Sequence, residues 1–421
     1  MSKLLPVRGT HDLIGENFRL QNHVIKSARF VAEIFGYEPI ETPIFESTDV
    51  YQRTLGETSD IVNKEMYTFK DKGGDSLTLR PEGTAGIARA VISGGLQDNT
   101  PLKWYYSGPM FRHERPQKGR LRQFHQFGAE LIGVADPVAD IEVISMATEF
   151  LRDLDLLSEV KLQLNTLGDL QSRKTYRETL INYLSDYKDE LSEESQIRLT
   201  RNPLRILDSK DINDKKIISG APSFHNFLTP EADLFFKNMC SGLEDLGIEY
   251  SSNPYLVRGL DYYCHTTFEF ISDKLGAQGT LLAGGRYDGL IPMMGGQSIP
   301  GVGWAAGIER ICMLIQKPIE EPRAICVIGL GKLGEQEAAK IALKLRQSKF
   351  KTELIYKGGL KRGLRRANKI GAVAAILIGE NELTNNIVTV RNLDNGSQTE
   401  VGFSELDSHL AIYDSATLIT D

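Results

Sequence analysis

Three arginines, Arg112, Arg258 and Arg310, lie far apart along the 421-residue chain, each among residues that could serve a phosphate or an amino acid. The stretch FRHERPQKGRLRQFHQFG, 111–128, carries five basic side chains (Arg112, Arg115, Lys118, Arg120, Arg122) against one acid, Glu114. It joins two apolar, aromatic runs that can pair as strands, with Pro116 and Gly119 turning the chain between them. Arg112 then sits at the end of a strand, and a planar guanidinium held by a sheet suits a phosphate. In RPEGTAG, 80–86, Glu82 and Thr84 offer a carboxylate and a hydroxyl to an ammonium group. LVRGLDYYCH, 256–265, sets Arg258 and Asp261 beside Tyr262 and Tyr263. AGGRYDGL, 283–290, reads as a glycine-rich strand and turn, and GVGWAAGIER, 301–310, ends in Glu309 and Arg310 as a helix pattern begins. Each segment alone is an ordinary turn or helix start. Together they make an inventory for binding a nucleoside triphosphate and an amino acid.

Two other features invite a chemical reading. Gly329, Gly331 and Gly334 spell GxGxxG between a strand and a helix, with Glu353 further on, as in a dinucleotide fingerprint. The motif is short and nothing upstream announces a hydride-transfer site, so a glycine-permissive strand-to-helix turn is the preferred reading. YKGGLKRGLRRANK, 356–369, has six basic residues and no acid; Lys361, Arg365 and Lys369 recur every fourth residue, as do Arg362 and Arg366. On a helix they form a positive face. Most solvated faces mix signs, so a run of one sign in an acidic chain fits nucleic-acid phosphate better.

The bulk properties set the frame. The net charge of −7 excludes a protein that coats nucleic acid indiscriminately but leaves local basic patches open. The four cysteines, Cys240, Cys264, Cys312 and Cys326, form no CxxC pair, which argues against a zinc knuckle or a redox dithiol and fits a reducing cytosol. No signal-like apolar segment and no run of 18 apolar residues occurs, so a cytoplasmic protein is expected.

The elements that must position these residues can be read in outline. Residues 17–35 form an amphipathic helix with Leu20, Val24, Ala28 and Val31 on one side, stopped by Gly36. Runs of strand character at 66–71, 76–80, 102–112 and 124–133 follow one another closely, which predicts an antiparallel sheet. A helix is expected over 136–157. The charge-rich segment from 171 to about 215 is helical, either an inserted module or a solvated layer. QKPIEEPRA, 316–324, is the best linker, and beyond it strands and helices alternate as in a small α/β domain with a mostly parallel sheet.

These segments resemble the signature motifs of class II aminoacyl-tRNA synthetases, and specifically of the histidyl-tRNA synthetase family, over nearly the whole chain. PVRGTHD, 6–12, is similar to the family's opening; GYEPIETPIF resembles motif 1, with Pro43 at a dimer interface; FRHERPQKGRLRQFHQFGAE resembles motif 2 and GVGWAAGIER motif 3. LVRGLDYY and AGGRYDG resemble the two peptides that mark histidine specificity. LIG after RGTHD departs slightly from the family pattern and touches no site residue.

The resemblance implies an α+β catalytic domain over 1–320 on an antiparallel sheet flanked by helices, a helical insertion at 171–225 and an α/β anticodon-binding domain over 322–421. It implies a histidine–tRNA ligase using ATP and Mg²⁺, binding tRNA through its acceptor end and anticodon, and acting as a homodimer. Carried over, Glu82 and Thr84 would hold the histidine ammonium, Gln126 would help bind the amino acid, and Glu130 and Tyr263 would meet the imidazole nitrogens. Tyr262 and Tyr287 would line that pocket. Arg112 would lie between the histidine carboxylate and the ATP α-phosphate, with Arg258 opposite. Glu114 would meet the adenine amino group, Phe124 would stack on the ring, and Arg310 would clamp the γ-phosphate. Arg115 and Gln117 would face the tRNA acceptor end; Lys118, Arg120 and Arg122 have no implied role. The alternative is a histidine-sensing regulatory subunit of ATP phosphoribosyltransferase, which would be expected to lose the motif arginines and the last domain.

Overall fold

The structure, a computed structural model, describes residues 3–55, 61–257, 262–317, 322–356, 358–413 and 417. The chain divides into two compact units, Met1–Pro318 and Ile319–Asp421.

The first unit is built on an eight-stranded sheet. Its spatial order is Glu38–Pro39, Leu102–Phe111, Gln123–Ile132, Gly301–Gly307, Thr280–Arg286, Cys264–Ile271, Lys161–Thr166 and Ser251–Ser252. The six inner strands pair antiparallel, and the two-residue strands at each edge are parallel to their neighbours. Side chains alternate across such a sheet. Phe127, Ala129 and Leu131 therefore point one way with Val302, Trp304 and Ala306 of the neighbouring strand, and all six enter one apolar core. The helices Gly15–Ile34 and Pro137–Asp153 cover that face with Val24, Ala28, Val31, Val143, Ile144 and Phe150. Phe150 stacks on Trp304 with ring centres 5.9 Å apart. Each buried Val, Leu, Ile or Phe among these contributes about 1.5–3 kcal/mol, which fixes the sheet on its helices. The helix Pro137–Asp153 is capped by Asp136, whose side chain accepts from the Val138 N–H, with Pro137 in the first turn.

The opposite face carries the site. A second, three-stranded sheet in the order Phe45–Ser47, Ser76–Leu79, Thr68–Lys70 delivers the chain to the helix Thr84–Ser93 beside it. The runs at 66–71 and 76–80 thus belong to this small sheet and not to the main one. The segment after Thr166 forms helices Leu170–Ser185, Glu193–Arg201 and Ile212–Ile218, packed around Tyr176, Leu180, Leu184, Leu199, Ile206 and Phe224. Its buried Asp214 accepts from the hydroxyls of Ser192 (2.7 Å), Ser195 (2.6 Å) and Ser209 (2.5 Å).

In the second unit the sheet order is Thr352–Ile355, Ile325–Gly329, Ala374–Ile378, Ile387–Asn392, Gln398–Gly402. The first three strands are parallel, as expected; the last two are antiparallel, making the sheet mixed. The last two strands carry a recognisable signal, since IVTVRN opens with four consecutive β-branched residues ahead of an Asn395–Gly396 turn. The GxGxxG glycines serve packing. A Cβ on Gly329 would strike the backbone of Gly334 and Glu335, and one on Gly334 the Ile378 carbonyl. Glu353 faces Arg366 at 3.3 Å, an ordinary surface pair. The helix Leu360–Lys369 buries Gly363 and Ala367 and leaves Lys361, Arg362, Arg365, Arg366 and Lys369 exposed, so the positive face is realised.

Candidate active site

Strand alternation builds the cavity. On Gln123–Ile132 the residues facing away from the helical core are Phe124, Gln126, Gly128 and Glu130; on the adjoining strand they are Gly301, Gly303, Ala305 and Gly307. Gly303 lies opposite Glu130 in register, and a Cβ there would overlap the Glu130 carboxylate. The glycine lets the carboxylate lie flat on the sheet, which leaves room above it.

The cavity is lined by Glu82, Thr84, Arg112, Glu114, Phe124, Gln126, Tyr262, Tyr263 and Arg310, together with Gly119, Arg120 and Leu121 of the motif 2 loop. Nine residues singled out on widely separated segments therefore converge. Arg258 and Asp261 lie outside the described residues. Arg115 and Gln117 are exposed on the loop and do not line the cavity. Glu130 and Tyr287, also expected at the site, are buried next to this lining. The Tyr287 hydroxyl donates to Glu130 Oε2 (2.6 Å) and Thr84 Oγ1 donates to Oε1 (2.8 Å), so each oxygen already accepts a hydrogen bond. Sequence spacing marks these residues as neighbours on one face but not their depth.

The two ends differ in charge. At one end Glu82 and Glu130 are buried with Tyr262 and Tyr263. Glu82 accepts from the backbone N–H groups of Thr84 (2.7 Å) and Ala85 (2.9 Å), the first residues of the helix Thr84–Ser93. Burial pushes the Glu82 pKa up, and pushes that of Glu130 up to about 8 despite the bonds from Tyr287 and Thr84. At the other end Arg112, Arg120 and Arg310 gather. Arg112 Nε donates to the Pro81 carbonyl (2.8 Å) and its guanidinium lies 5.2 Å from the Phe124 ring centre. Arg310 donates from Nε to the Gly119 carbonyl (3.1 Å) and from Nη1 to the Thr280 carbonyl (2.7 Å). Burial first, and then Arg120, lower the Arg310 pKa, so this end favours an anion. Gln126 Oε1 is buried without a partner.

Sequence reading missed one clamp. Glu309 accepts from the His125 backbone N–H with both oxygens (2.9 and 3.0 Å) and from the ring at Nδ1 (2.8 Å), tying the short helix Ile308–Cys312 to the motif 2 strand. Its only signal is an acid next to Arg310. Arg120, left without a role, pairs with Glu114 (3.1 Å), and the loop folds over the cavity. The volume of about 180 Å³ is correspondingly below the ~300–1,000 Å³ of most small-molecule sites.

A family model described as Histidyl-tRNA synthetase matches residues 9–311, and one described as Anticodon binding domain matches residues 324–411. The chain belongs to the histidyl-tRNA synthetase family. It is 54% identical over 412 residues to the Histidine--tRNA ligase of Rhodospirillum rubrum, covering 98% of this chain and 99% of that one. The Gluconacetobacter diazotrophicus ligase is 52% identical at the same coverage. The crystal structure of apo histidyl-tRNA synthetase from S. aureus superposes with a TM-score of 0.81 at 35% identity, covering 97% of this chain and 99% of that one. A structure named as an ATP phosphoribosyltransferase regulatory subunit/histidyl-tRNA synthetase from Bacillus halodurans, with a TM-score of 0.65 at 22% identity, covers 90% of this chain and 99% of that one, and shares the fold alone. As a member of the histidyl-tRNA synthetase family, the chain is an aminoacyl-tRNA synthetase with a class II α+β catalytic fold and an anticodon-binding domain.

Proposed function

We propose that this cavity activates histidine with ATP and passes it to the 3′ end of histidine tRNA. The observation that carries this reading is the division of one cavity into a buried carboxylate–tyrosine end and an arginine end, with Arg112 at the join. Glu82 and Thr84 hold the histidine ammonium, while Gln126 and Tyr263 contact the amino acid and Tyr262 packs against it. Glu130, bracketed by Tyr287 and Thr84, and Tyr263 serve as the hydrogen-bonding partners of the imidazole nitrogens. Arg112 bridges the carboxylate and the α-phosphate, and Arg258 is expected to serve the same phosphate. Glu114 and Phe124 take the adenine and Arg310 the γ-phosphate.

The residue types follow from the reaction. The histidine carboxylate attacks the α-phosphorus of ATP and pyrophosphate leaves; the nucleophile is already an anion, so this step requires no general base. It requires alignment and neutralisation of charge on phosphate oxygens, which fixed guanidiniums supply. The ribose hydroxyl at the tRNA 3′ end then attacks the adenylate carbonyl and AMP leaves. Mg²⁺ accompanies the triphosphate and offsets its charge. Glu114 and Glu309 are the carboxylates lining that end, and they would be available to a Mg²⁺ ion carried in with the triphosphate. ATP entry requires the loop over the cavity to open, releasing Glu114 from Arg120 and Arg310 from the Gly119 carbonyl.

A pocket that hydrogen-bonds a polar side chain rejects apolar isosteres by ~10⁴ or more, so no editing domain is expected. The catalytic domain spans 1–320 with the insertion at 171–225, and 322–421 binds the anticodon, with the exposed cations of Leu360–Lys369 facing RNA phosphate. Arg115 and Gln117 face the acceptor end. Exposed Phe18, Phe30, Ile34, Phe45 and Phe69 support a homodimer. Among the described residues no helix is long and apolar enough to cross a membrane, and a cytoplasmic location accords with the unpaired cysteines.

ATP–pyrophosphate exchange with each of the twenty amino acids tests the reading. Exchange with histidine alone is expected; exchange with none would overturn it in favour of the regulatory alternative, which the presence of Arg112 and Arg310 already disfavours.

The buried carboxylates also set a pH dependence. Glu130 has its folded pKa raised from 4.5 to about 8, so its contribution to stability is fully present below about 4.5 and is lost as pH rises through about 8. Glu82 shifts in the same direction. The melting temperature of the ligand-free protein is expected to fall between pH 5 and 9, and Glu130→Gln to flatten that fall. Scanning calorimetry across the range, with an unchanged slope in the variant, would show that Glu130 is not the group responsible.

A further inference from the structure

PVRGTHD has no part in the chemistry above, yet its centre is built into the site's surroundings. Residues 3–8 are all exposed, while Gly9 is buried. The chain turns tightly there: the Thr10 N–H (2.9 Å) and hydroxyl (2.7 Å) both donate to the Val7 carbonyl. Gly9 takes φ +87°, a backbone region that favours glycine. Its carbonyl accepts from the backbone N–H of Arg122 (2.8 Å) and, at longer range, of Gln123 (3.4 Å). A Cβ on Gly9 would stand 2.9 Å from Arg122 Cγ and 3.0 Å from Pro116 Cγ.

Those contacts fall where the motif 2 hairpin gives way to its loop. Ladder pairing ends with Phe111 opposite Gln123, and one further bond joins the Arg112 N–H to the Arg122 carbonyl (2.9 Å). Beyond it each leg is held from outside. The His113 N–H donates to the Glu65 carbonyl (2.6 Å), and the Arg122 N–H to that of Gly9. Most groups assigned to adenylate formation have an anchor outside the loop: Arg112 on the Pro81 carbonyl, Phe124 and Gln126 in the strand, and Arg310 on the Thr280 carbonyl as well as on that of Gly119; Glu114 alone belongs to the loop. The turn adjoins Pro116, which stands between the exposed Arg115 and Gln117, and Arg122, where the loop returns to the hairpin.

We propose that the turn at residues 7–10, through Gly9, positions the 115–122 part of the loop for transfer of histidine to tRNA and contributes less to forming the adenylate. This rests on the reading of that loop as the acceptor-end contact. Gly9 is a positioning residue: it touches neither histidine nor ATP and acts through the loop backbone.

Gly9→Ala tests it, with Gly15→Ala as control. Gly15 also has positive φ, +59°, but nothing stands within 4 Å of its Cβ direction, so it reports backbone strain without the loop contact. Two steps are measured on each full-length variant: histidine-dependent ATP–pyrophosphate exchange, and single-turnover transfer from preformed adenylate to a histidine tRNA transcript. Gly9→Ala is expected to slow transfer by about tenfold or more, since small misplacements of positioned groups cost that much. Its exchange should stay within about twofold of the parent, and Gly15→Ala should leave both steps near parent rates. Thr10→Val, which removes the hydroxyl holding the turn, should show the same split more weakly and keeps the inference refutable if Gly9→Ala does not fold. Equal loss in both steps, or unchanged transfer in a folded Gly9→Ala, would overturn it. No exchange by the unaltered chain would instead overturn the ligase reading, and this inference with it.

Discussion

Arg112→Ala is expected to slow histidine-dependent ATP–pyrophosphate exchange by about 10²–10³-fold with the fold intact, the usual cost of removing one fixed charge from a developing anion. Arg112 is suited to such an effect. Its Nε is fixed on the Pro81 carbonyl, one face lies against Phe124, and its nearest carboxylate, Glu114, stands 4.0 Å away. The guanidinium is thus preorganised while its charge remains available to a ligand. Arg112→Lys should recover only part of the rate, because a point charge on a flexible stem cannot keep both the Pro81 bond and a phosphate contact. The loss should appear in kcat and in kcat/KM together, since the interaction strengthens as charge moves onto phosphate oxygens. Exchange within a fewfold of the parent in a folded Arg112→Ala protein would remove this residue from the mechanism.

The largest effect on stability is expected at Arg286, not in the cavity. Its side chain is fully buried, at 0% exposure. Burial works against its charge, but Asp140 and Asp288 outweigh that and raise its pKa. It forms a buried pair with Asp140 on the helix Pro137–Asp153, contacts Asp288 (3.2 Å), donates to the Val134 carbonyl (3.0 Å) and lies over the Phe235 ring. Arg286→Met would leave Asp140 charged and unpaired in the interior, at a cost of about 3–5 kcal/mol. Arg286→Met with Asp140→Leu should recover much of that, because the pair is then replaced as a unit. Denaturant unfolding followed by tryptophan fluorescence suits the measurement, as Trp104 and Trp304, the two tryptophans, both lie in the first unit. Additive losses in the double variant would show that the two residues do not act as a pair. The single variant should also weaken histidine binding, since Arg286 precedes Tyr287, whose hydroxyl fixes Glu130.

Much of the site was legible before any fold was known. Arg112 follows one strand of a hairpin, Phe124 and Gln126 lie on the next, and period-two alternation places those two on one face. GVGWAAG puts glycines at every second position but one on that same side, marking a strand that must leave space above it. Glu82 and Thr84 were recognisable by type, though not as the start of the helix Thr84–Ser93. The two last strands of the C-terminal sheet were legible in IVTVRN and its Asn–Gly turn and were passed over. The GxGxxG glycines needed the structure, because the same spacing serves a cofactor or a close strand–helix contact. Only the neighbouring backbone atoms distinguish the two.

The sequence by itself determined the inventory, the family and the strands and helices that carry the chemistry, because side-chain type and periodicity are local properties of the chain. The tertiary structure alone decided depth and partnership. It joined Tyr287 to Glu130, tied Glu309 to His125, paired Glu114 with Arg120 and set Gly9 against the motif 2 loop. Each of these joins residues from separate segments, apart from the pair within the loop. Their distances and burial depend on how sheet, helix and loop pack together, and no spacing along the chain encodes that.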